Sequence, residues 1–376
     1  MQRRVSPAPL RLAAAAVVAA LVLTGCKLQV TTASSPPAHH KAAAHHKAAH
    51  HIAVHHKAVH PKGAHHAQRK APVRPSAAAL ALITEPGAGF APLYRLIGAA
   101  RHTIDVTMYE FADSSAERDL ATAARRGVSV HVILDRRERS RNTGAYDYLR
   151  AHRVAVTWSS SSFEYTHQKT VVIDRSMAVI MTANLTSEYY STSRDFLVTD
   201  RNSGDIAAIT RVFGADYAHR PVTPGDGRDL VWSPTDSQRQ MLAVIDGARE
   251  TLRIYSEEMA DTTVDAALMA AARRGVRVQV CGENAGGEYD SVFARLARAG
   301  VRISYFSSQT GFYIHGKAIE ADFGTPRARA FVGSENFSST SLNRNRELGL
   351  LISARPILAS LAKTFAADFA RGKPWA

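Results

Sequence analysis

From about residue 85 onward the chain is written twice. The eight residues AARRGVSV at 123–130 return as AARRGVRV at 271–278, a displacement of 148. The same displacement carries Ala100-Arg101 onto Ala248-Arg249, Pro86 onto Pro234, Ala112-Asp113 onto Ala260-Asp261 and His167 onto His315. Solenoid repeats run at about 20–50 residues, so a period this long means two copies of a whole domain, each large enough to bury a core of its own. The expected organisation is a leader at 1–25, a tether at 26–78, a first lobe at 79–220, a linker at 221–228 that contains PVTPGDG, and a second lobe at 229–376.

Within each copy the hydrophobic pattern alternates between strand and helix periods. Thr103–Met108 and Leu252–Tyr255 read as strands. Helices follow, opening at Ser114 with Glu117 three residues on as a capping box, and at Asp261, and closing at Gly127 and Gly275. The β-branched runs 128–134 and 276–281 give further strands, and another helix comes before each copy of the motif described next. Such alternation predicts an α/β sandwich around a largely buried mixed sheet. Cys281 falls in the apolar run VRVQVC, where a buried small hydrophobe is expected.

The copies share THQKTVVID at 166–174 and IHGKAIEAD at 314–322, each carrying H-x-K-x4-D. A strand across the motif would point His167 and Lys169 to one face. Met181-Thr182-Ala183-Asn184 and Gly333-Ser334-Glu335-Asn336 follow, then Asp195 and Glu347. These later pairs lie 152 apart, so the second copy has gained four residues, which places a longer surface turn around FGTPRAR. Taken singly, each histidine reads as a satisfied polar residue, each lysine as a solvated charge and each asparagine as a turn former. Their joint recurrence overturns that reading.

The paired motifs resemble the phospholipase D superfamily, marked by two H-x-K-x4-D motifs each followed by G-S-x-N, over residues 85–370. The resemblance implies a bilobal fold whose copies meet about a pseudo-twofold axis, each supplying half of one active site. It also implies metal-independent cleavage of phosphodiesters through a phosphohistidine, with His167 as nucleophile and His315 as general acid/base, although the sequence does not itself assign the two. It implies phosphate contacts from Thr182, Asn184, Ser334 and Asn336, and it makes Asp195 and Glu347 the carboxylates that hold each histidine's other nitrogen. Asp174 and Asp322 read as supports of the motif. The residue chemistry agrees: Lys169 and Lys317 neutralise an anionic diester without a metal or cofactor, one imidazole attacks phosphorus, and the other protonates the leaving oxygen. The first copy departs from the pattern with Met181 and Thr182 for Gly-Ser, so Met181 is expected to reshape the pocket, and with Asp195 for Glu. Glu110 and Glu258, matched by the 148 displacement, suit the lining of the cleft, but exposed charge at strand ends is the favoured reading. Tyr165 and Tyr313, two residues before each motif histidine, suit either the rim of the site or the core.

The first 26 residues set Arg3, Arg4 and Arg11 before the apolar run Leu12–Leu23 and end in Leu-Thr-Gly-Cys, similar to the lipobox of bacterial lipoproteins. Lipidation at Cys26 is expected, with more than one acyl chain for stable anchoring. With two cysteines in the chain, that leaves Cys281 no disulfide partner. Residues 27–78, with eleven histidines among Ala and Lys, read as a flexible tether. Fifty such residues reach roughly 40 Å; a metal store of Zn, Ni or Cu is the other reading of the histidines. The formal charge of +14 is concentrated here: eleven of the 47 Lys and Arg precede Glu85 and none of the 33 Asp and Glu do. The body therefore carries 36 basic against 33 acidic residues, too balanced to argue for nucleic acid on charge. The expectation is an exported membrane lipoprotein on the extracytoplasmic face, a monomer, acting on phospholipid headgroups to give phosphatidic acid. A secreted nuclease acting on nucleic acid, and a metal-binding lipoprotein with a non-catalytic body, are the alternatives.

Overall fold

Two eight-stranded mixed sheets carry the part of the chain that this computed structural model describes, residues 80–225 and 227–376. The expected leader, Cys26 and the His-rich tether lie outside the described residues. Across the first sheet the order is Leu80–Glu85, Ser193–Asp200, Met177–Met181, Thr170–Ile173, Thr103–Met108, Ser129–Leu134 and Ala155–Trp158. Across the second it is Leu230–Ser233, Glu347–Ile352, Arg329–Gly333, Ala318–Ala321, Thr251–Ser256, Arg277–Glu283 and Arg302–Phe306, with Lys373–Pro374 added at the edge as an eighth. That edge strand aside, these are strand for strand the same order, so the duplication read from the sequence is a duplication of topology.

In each lobe the strand expected first lies parallel to the strand expected second: Thr103 pairs with Ser129, and Thr251 with Arg277. On its other side it is antiparallel to the strand that carries the second half of the motif. Helices cover the sheets, which is why the central strands read as apolar on both faces. The helix Ser114–Arg125 departs from expectation in one detail. Its cap is Asp113, whose carboxylate accepts from the N–H groups of Ser115 and Ala116, so Ser114 is already helical and the Ser114/Glu117 box does not form. A charged cap one residue earlier satisfies those donors and complements the helix dipole. Asp261 does the same for Thr262–Arg273 through Thr263 and Val264. Gly127 and Gly275, at φ +90° and +88°, turn the chain out of both helices in a conformation open to glycine. The turn after the first motif spans residues 174–176 and its counterpart spans 322–328, so the four extra residues lengthen that turn.

The buried apolar side chains form three clusters. One fills the first lobe around Val106, Val132 and Leu197, and one fills the second around Ile254, Val280 and Phe331. The third draws on both sheets, with Phe196 and Val198 from the first and Tyr255, Cys281, Leu348 and Leu350 from the second. Cys281 is thus a buried apolar group, as its strand pattern requires. Two ion pairs cross between the lobes: Arg194 grips Asp368 through two nitrogens at 2.6 and 2.9 Å, and Arg346 grips Asp216 at 2.9 and 3.2 Å. Backbone also crosses. Tyr313–Ile314 leaves the second lobe to pair in parallel with Ser193 and Arg194 as the eighth strand of the first sheet, and Thr166 of the first lobe bridges Arg346 of the second.

Candidate active site

These two crossings determine which groups meet. The residue after Ile314 is His315 and the residue after Arg194 is Asp195, and the parallel register brings them together, with Nδ1 of His315 2.8 Å from Oδ1 of Asp195. In the same way the bridge between Thr166 and Arg346 delivers His167 to Glu347, Nδ1 to Oε2 at 2.7 Å. Each motif histidine is therefore held by the carboxylate of the opposite lobe. With Nδ1–H donated to a carboxylate, Nε2 is the nitrogen left for chemistry. The carboxylates are themselves held: Asp195 accepts from Thr182 Oγ1 at 2.5 Å, and Glu347 accepts from Ser341 Oγ at 2.5 Å and Asn345 Nδ2 at 2.9 Å.

Lys169 and Lys317 are fully buried. Each Nζ donates to the carbonyl of its own motif histidine, at 2.7 and 2.5 Å. Only the second half of each motif lies in a strand, with the histidine and lysine ahead of it, where a strand across the whole motif was expected. Strands begin at Thr170 and Ala318, one residue after each lysine, because the backbone just before is engaged by the opposite lobe, as in Gln168 N–H to the carbonyl of Arg346. The surroundings of the two lysines then diverge. Tyr109 lays its ring 4.9 Å from Nζ of Lys169 and 4.5 Å from the His167 ring. The position equivalent to Tyr109, 148 residues on, is Glu257. Its carboxylate lies 2.5 Å from Nζ of Lys317 and 3.8 Å from Nε2 of His315, and the hydroxyl of Tyr313 donates to it.

Burial and charge set the protonation states. Burial lowers His167 to about 4 against the opposing pull of Glu347. Burial, with the charge of Lys317 nearby, brings Lys169 down to about 7. Burial would raise Glu257, but the charges of Lys317 and His315 outweigh it and hold the carboxyl well below the usual range.

A cavity of about 620 Å³ opens onto both histidines. Asn184 and Asn336 line it, each with a buried side-chain oxygen that has no hydrogen-bond partner. Thr182 and Ser334, expected to face phosphate beside them, do not reach it. Both are fully buried behind the wall, where Thr182 joins Asp195 to the N–H of Phe196 and Ser334 joins both polar groups of the Leu348 backbone. Met181 does not reshape the cavity either, since its side chain packs wholly in the first-lobe core. Glu110 and Glu258, expected as exposed strand ends, are lining residues whose carboxyls burial pushes up. Of the two tyrosines, Tyr313 lines the cavity, while Tyr165 stands edge-on to Tyr109 at 6.0 Å. Asp174 and Asp322 adopt φ +51° and +53°, and their carboxylates accept from the N–H groups of 101–103 and 249–251. They clamp the end of each motif to the start of the neighbouring strand.

Sequence reasoning passed over several residues of this site. Arg194 and Arg346 recur at the 152 offset, as do their partners Asp216 and Asp368, so extending the repeat comparison finds all four. Glu257 left no such signal, because its counterpart is a tyrosine. Arg141, 3.3 Å from Glu110 and 2.9 Å from Glu188 at the mouth of the cavity, has no signal in the repeat either. Among the described residues no group of three or more His, Cys, Asp or Glu is arranged to hold a metal ion.

The family model described as "Cardiolipin synthase, PLD-like domain" matches residues 93–217 and again 241–369. No curated protein matches the sequence. Among solved structures, the chain is similar to polyphosphate kinase from Porphyromonas gingivalis, with 16% identity, a TM-score of 0.60, and coverage of 77% of this chain and 50% of that one. The chain thus spans half the length of that kinase. It is also similar to phosphatidylserine synthase from Haemophilus influenzae Rd KW20, with 13% identity, a TM-score of 0.58, and coverage of 80% and 88%. At these identities the likeness is one of fold.

Proposed function

The chain belongs to the phospholipase D-like domain family, and from that premise we propose that it is a phosphodiesterase that cleaves phospholipid headgroups to phosphatidic acid through a phosphohistidine. The observation that carries this reading is the crossed pair: His167 and His315, from different lobes, open on one cavity with each Nδ1 fixed by the opposite lobe's carboxylate. Neutral His167 attacks phosphorus through Nε2, forming the N–P bond as the bond from phosphorus to the headgroup oxygen breaks. That oxygen takes the proton from Nε2 of His315. His315 then removes a proton from water, the water oxygen attacks phosphorus, and the N–P bond breaks to free His167. Asn184 and Asn336 hold the phosphoryl oxygens, and the buried Lys169 offsets their charge without a divalent ion.

Lipid is favoured over nucleic acid by the charge of the cleft. Glu110, Glu188, Glu257 and Glu258 line it and offset the charges of Arg141 and Lys317, so it offers a long polyanion little counterion release. In this reading, export and lipidation at Cys26 put the enzyme beside its substrate. The test is mass spectrometry of phosphatidylcholine or phosphatidylethanolamine vesicles incubated with the full chain and ethanol, beside a plasmid-nicking assay. Phosphatidic acid and phosphatidylethanol are expected, the latter because alcohol intercepts the phosphohistidine, and chelation with EDTA leaves the rate unchanged. Efficient nicking without either lipid product turns the reading to a nuclease.

A further inference from the structure

Two copies of one half-site ought to be interchangeable, yet the chemistry above gives them opposite tasks. The sequence offers no reason for the choice, and the two motifs are equally complete. Beside the motif lysines the copies differ in charge at one pair of equivalent positions, Tyr109 and Glu257, each directly after the first central strand of its lobe. The Tyr109 ring leaves the front of His167 and Lys169 without a fixed negative charge from this position. The Glu257 carboxylate lies against Lys317 and faces Nε2 of His315. The contact with Lys317 is a close ion pair rather than an aligned hydrogen bond, and Tyr313 anchors the carboxylate from the other side.

An anionic oxygen paired with the lysine and facing the reactive imidazole nitrogen has the contacts that the mechanism above asks of a phosphoryl oxygen. We infer that Glu257 is the positioning residue that makes the two copies unequal: it stands in for phosphate on Lys317 and before His315, so that the phosphoryl group is carried by His167. This rests on the two-histidine reading above. The physical argument is electrostatic. A carboxylate 3.8 Å from Nε2 of His315 repels an incoming phosphoryl group and attracts a proton donor, which suits the exchange of protons with the headgroup oxygen and with water. At Lys169 no carboxylate at the equivalent position competes with the substrate.

The full chain is mixed with bis-(p-nitrophenyl) phosphate, quenched within the first turnover, and mapped by peptide mass spectrometry, while tungstate, a phosphate mimic, is titrated by calorimetry. In the wild type the phosphoryl adduct is expected on His167. In Glu257→Gln, which keeps the shape and removes the charge, adduct is expected on His315 as well, with tungstate bound about tenfold more tightly. Tyr313→Phe, which removes the anchor and keeps the ring, moves both readouts the same way by a smaller amount, and it carries the test if the Gln variant fails to fold. An adduct confined to His167 in both variants, with tungstate affinity unchanged, overturns the inference. If the wild type forms no adduct with the diester, the phosphodiesterase reading fails, and the tungstate comparison still decides whether Glu257 competes for the anion site.

Discussion

The halves of the cleft agree where the lobes hold each other and part beside the two buried lysines. The contacts between lobes come in matched sets: His167 to Glu347 and His315 to Asp195, Arg194 to Asp368 and Arg346 to Asp216. The clamps Asp174 and Asp322 are matched as well. Around the lysines the match ends, with Tyr109 against Lys169 and Glu257 against Lys317. A second mismatch sits in the stretch after each motif, where Ala183 of the first lobe corresponds to Glu335 of the second. Glu335 is fully buried, and burial, with Glu347 nearby, pushes its carboxyl well above the usual range. Duplication supplies a symmetric frame, but acid and nucleophile need different protonation states at the same pH. The departures from symmetry are where that difference is made.

The strongest way to break the comparison is to remove one histidine at a time. His167→Ala and His315→Ala should each slow turnover of phospholipid by about 10⁴-fold or more, since groups acting as a unit fail together. They should part company on bis-(p-nitrophenyl) phosphate, whose leaving group needs no proton. Rapid-mixing absorbance should show a p-nitrophenolate burst in His315→Ala and none in His167→Ala. A burst in His167→Ala instead would exchange the roles of the lobes.

The crossed carboxylates come next. Glu347→Gln and Asp195→Asn should each cost roughly 10²–10³-fold in kcat by freeing the imidazole tautomer. Stopped-flow should place the loss from Glu347→Gln in formation of the phosphoenzyme. The loss from Asp195→Asn should fall in the proton-dependent steps. Equal effects on both steps would argue that the halves are chemically alike.

The pH profile sharpens the same contrast. His167, lowered to about 4 chiefly by burial, is neutral above that pH and protonated below it. Lys169, lowered to about 7, is charged below that pH and loses its charge above it. The profile of kcat/KM should therefore rise through pH 4 and fall through pH 7. Tyr109→Glu copies the second lobe into the first, and a carboxylate beside Lys169 should move the alkaline limb upward. A limb that stays in place would show that the neighbour of Lys169 does not govern its charge.

The smallest expected effects concern the frame. Asp174→Ala and Asp322→Ala each remove a carboxylate that accepts three backbone N–H groups, with an expected loss of about 2 kcal/mol of stability by urea unfolding. The second should be the larger, because Asp322 is the more deeply buried of the two. The reverse order would mean that burial does not set the strength of the clamp.

What the sequence determined by itself is what one copy shares with the other. The 148 and 152 offsets carry the strand pattern, the aspartate ahead of each second helix, the glycine that ends it, and the longer turn of the second copy. These are local matters of periodicity, capping and turn chemistry, and a repeat states them twice. The same comparison brought out both histidines and both carboxylates without indicating which carboxylate serves which histidine. That choice belongs to the tertiary structure, because the partners stand 180 and 120 residues apart and meet only through strand register between lobes. Register across an interface depends on how two finished surfaces dock, which no pattern within one copy encodes. Packing within each lobe turned Thr182 and Ser334 inward, against Asp195 and Phe196 in the first and Leu348 in the second, and brought Glu110 and Glu258 to the cleft. It set Glu257 before His315, at a position where the repeat comparison finds only a tyrosine and a glutamate that do not match.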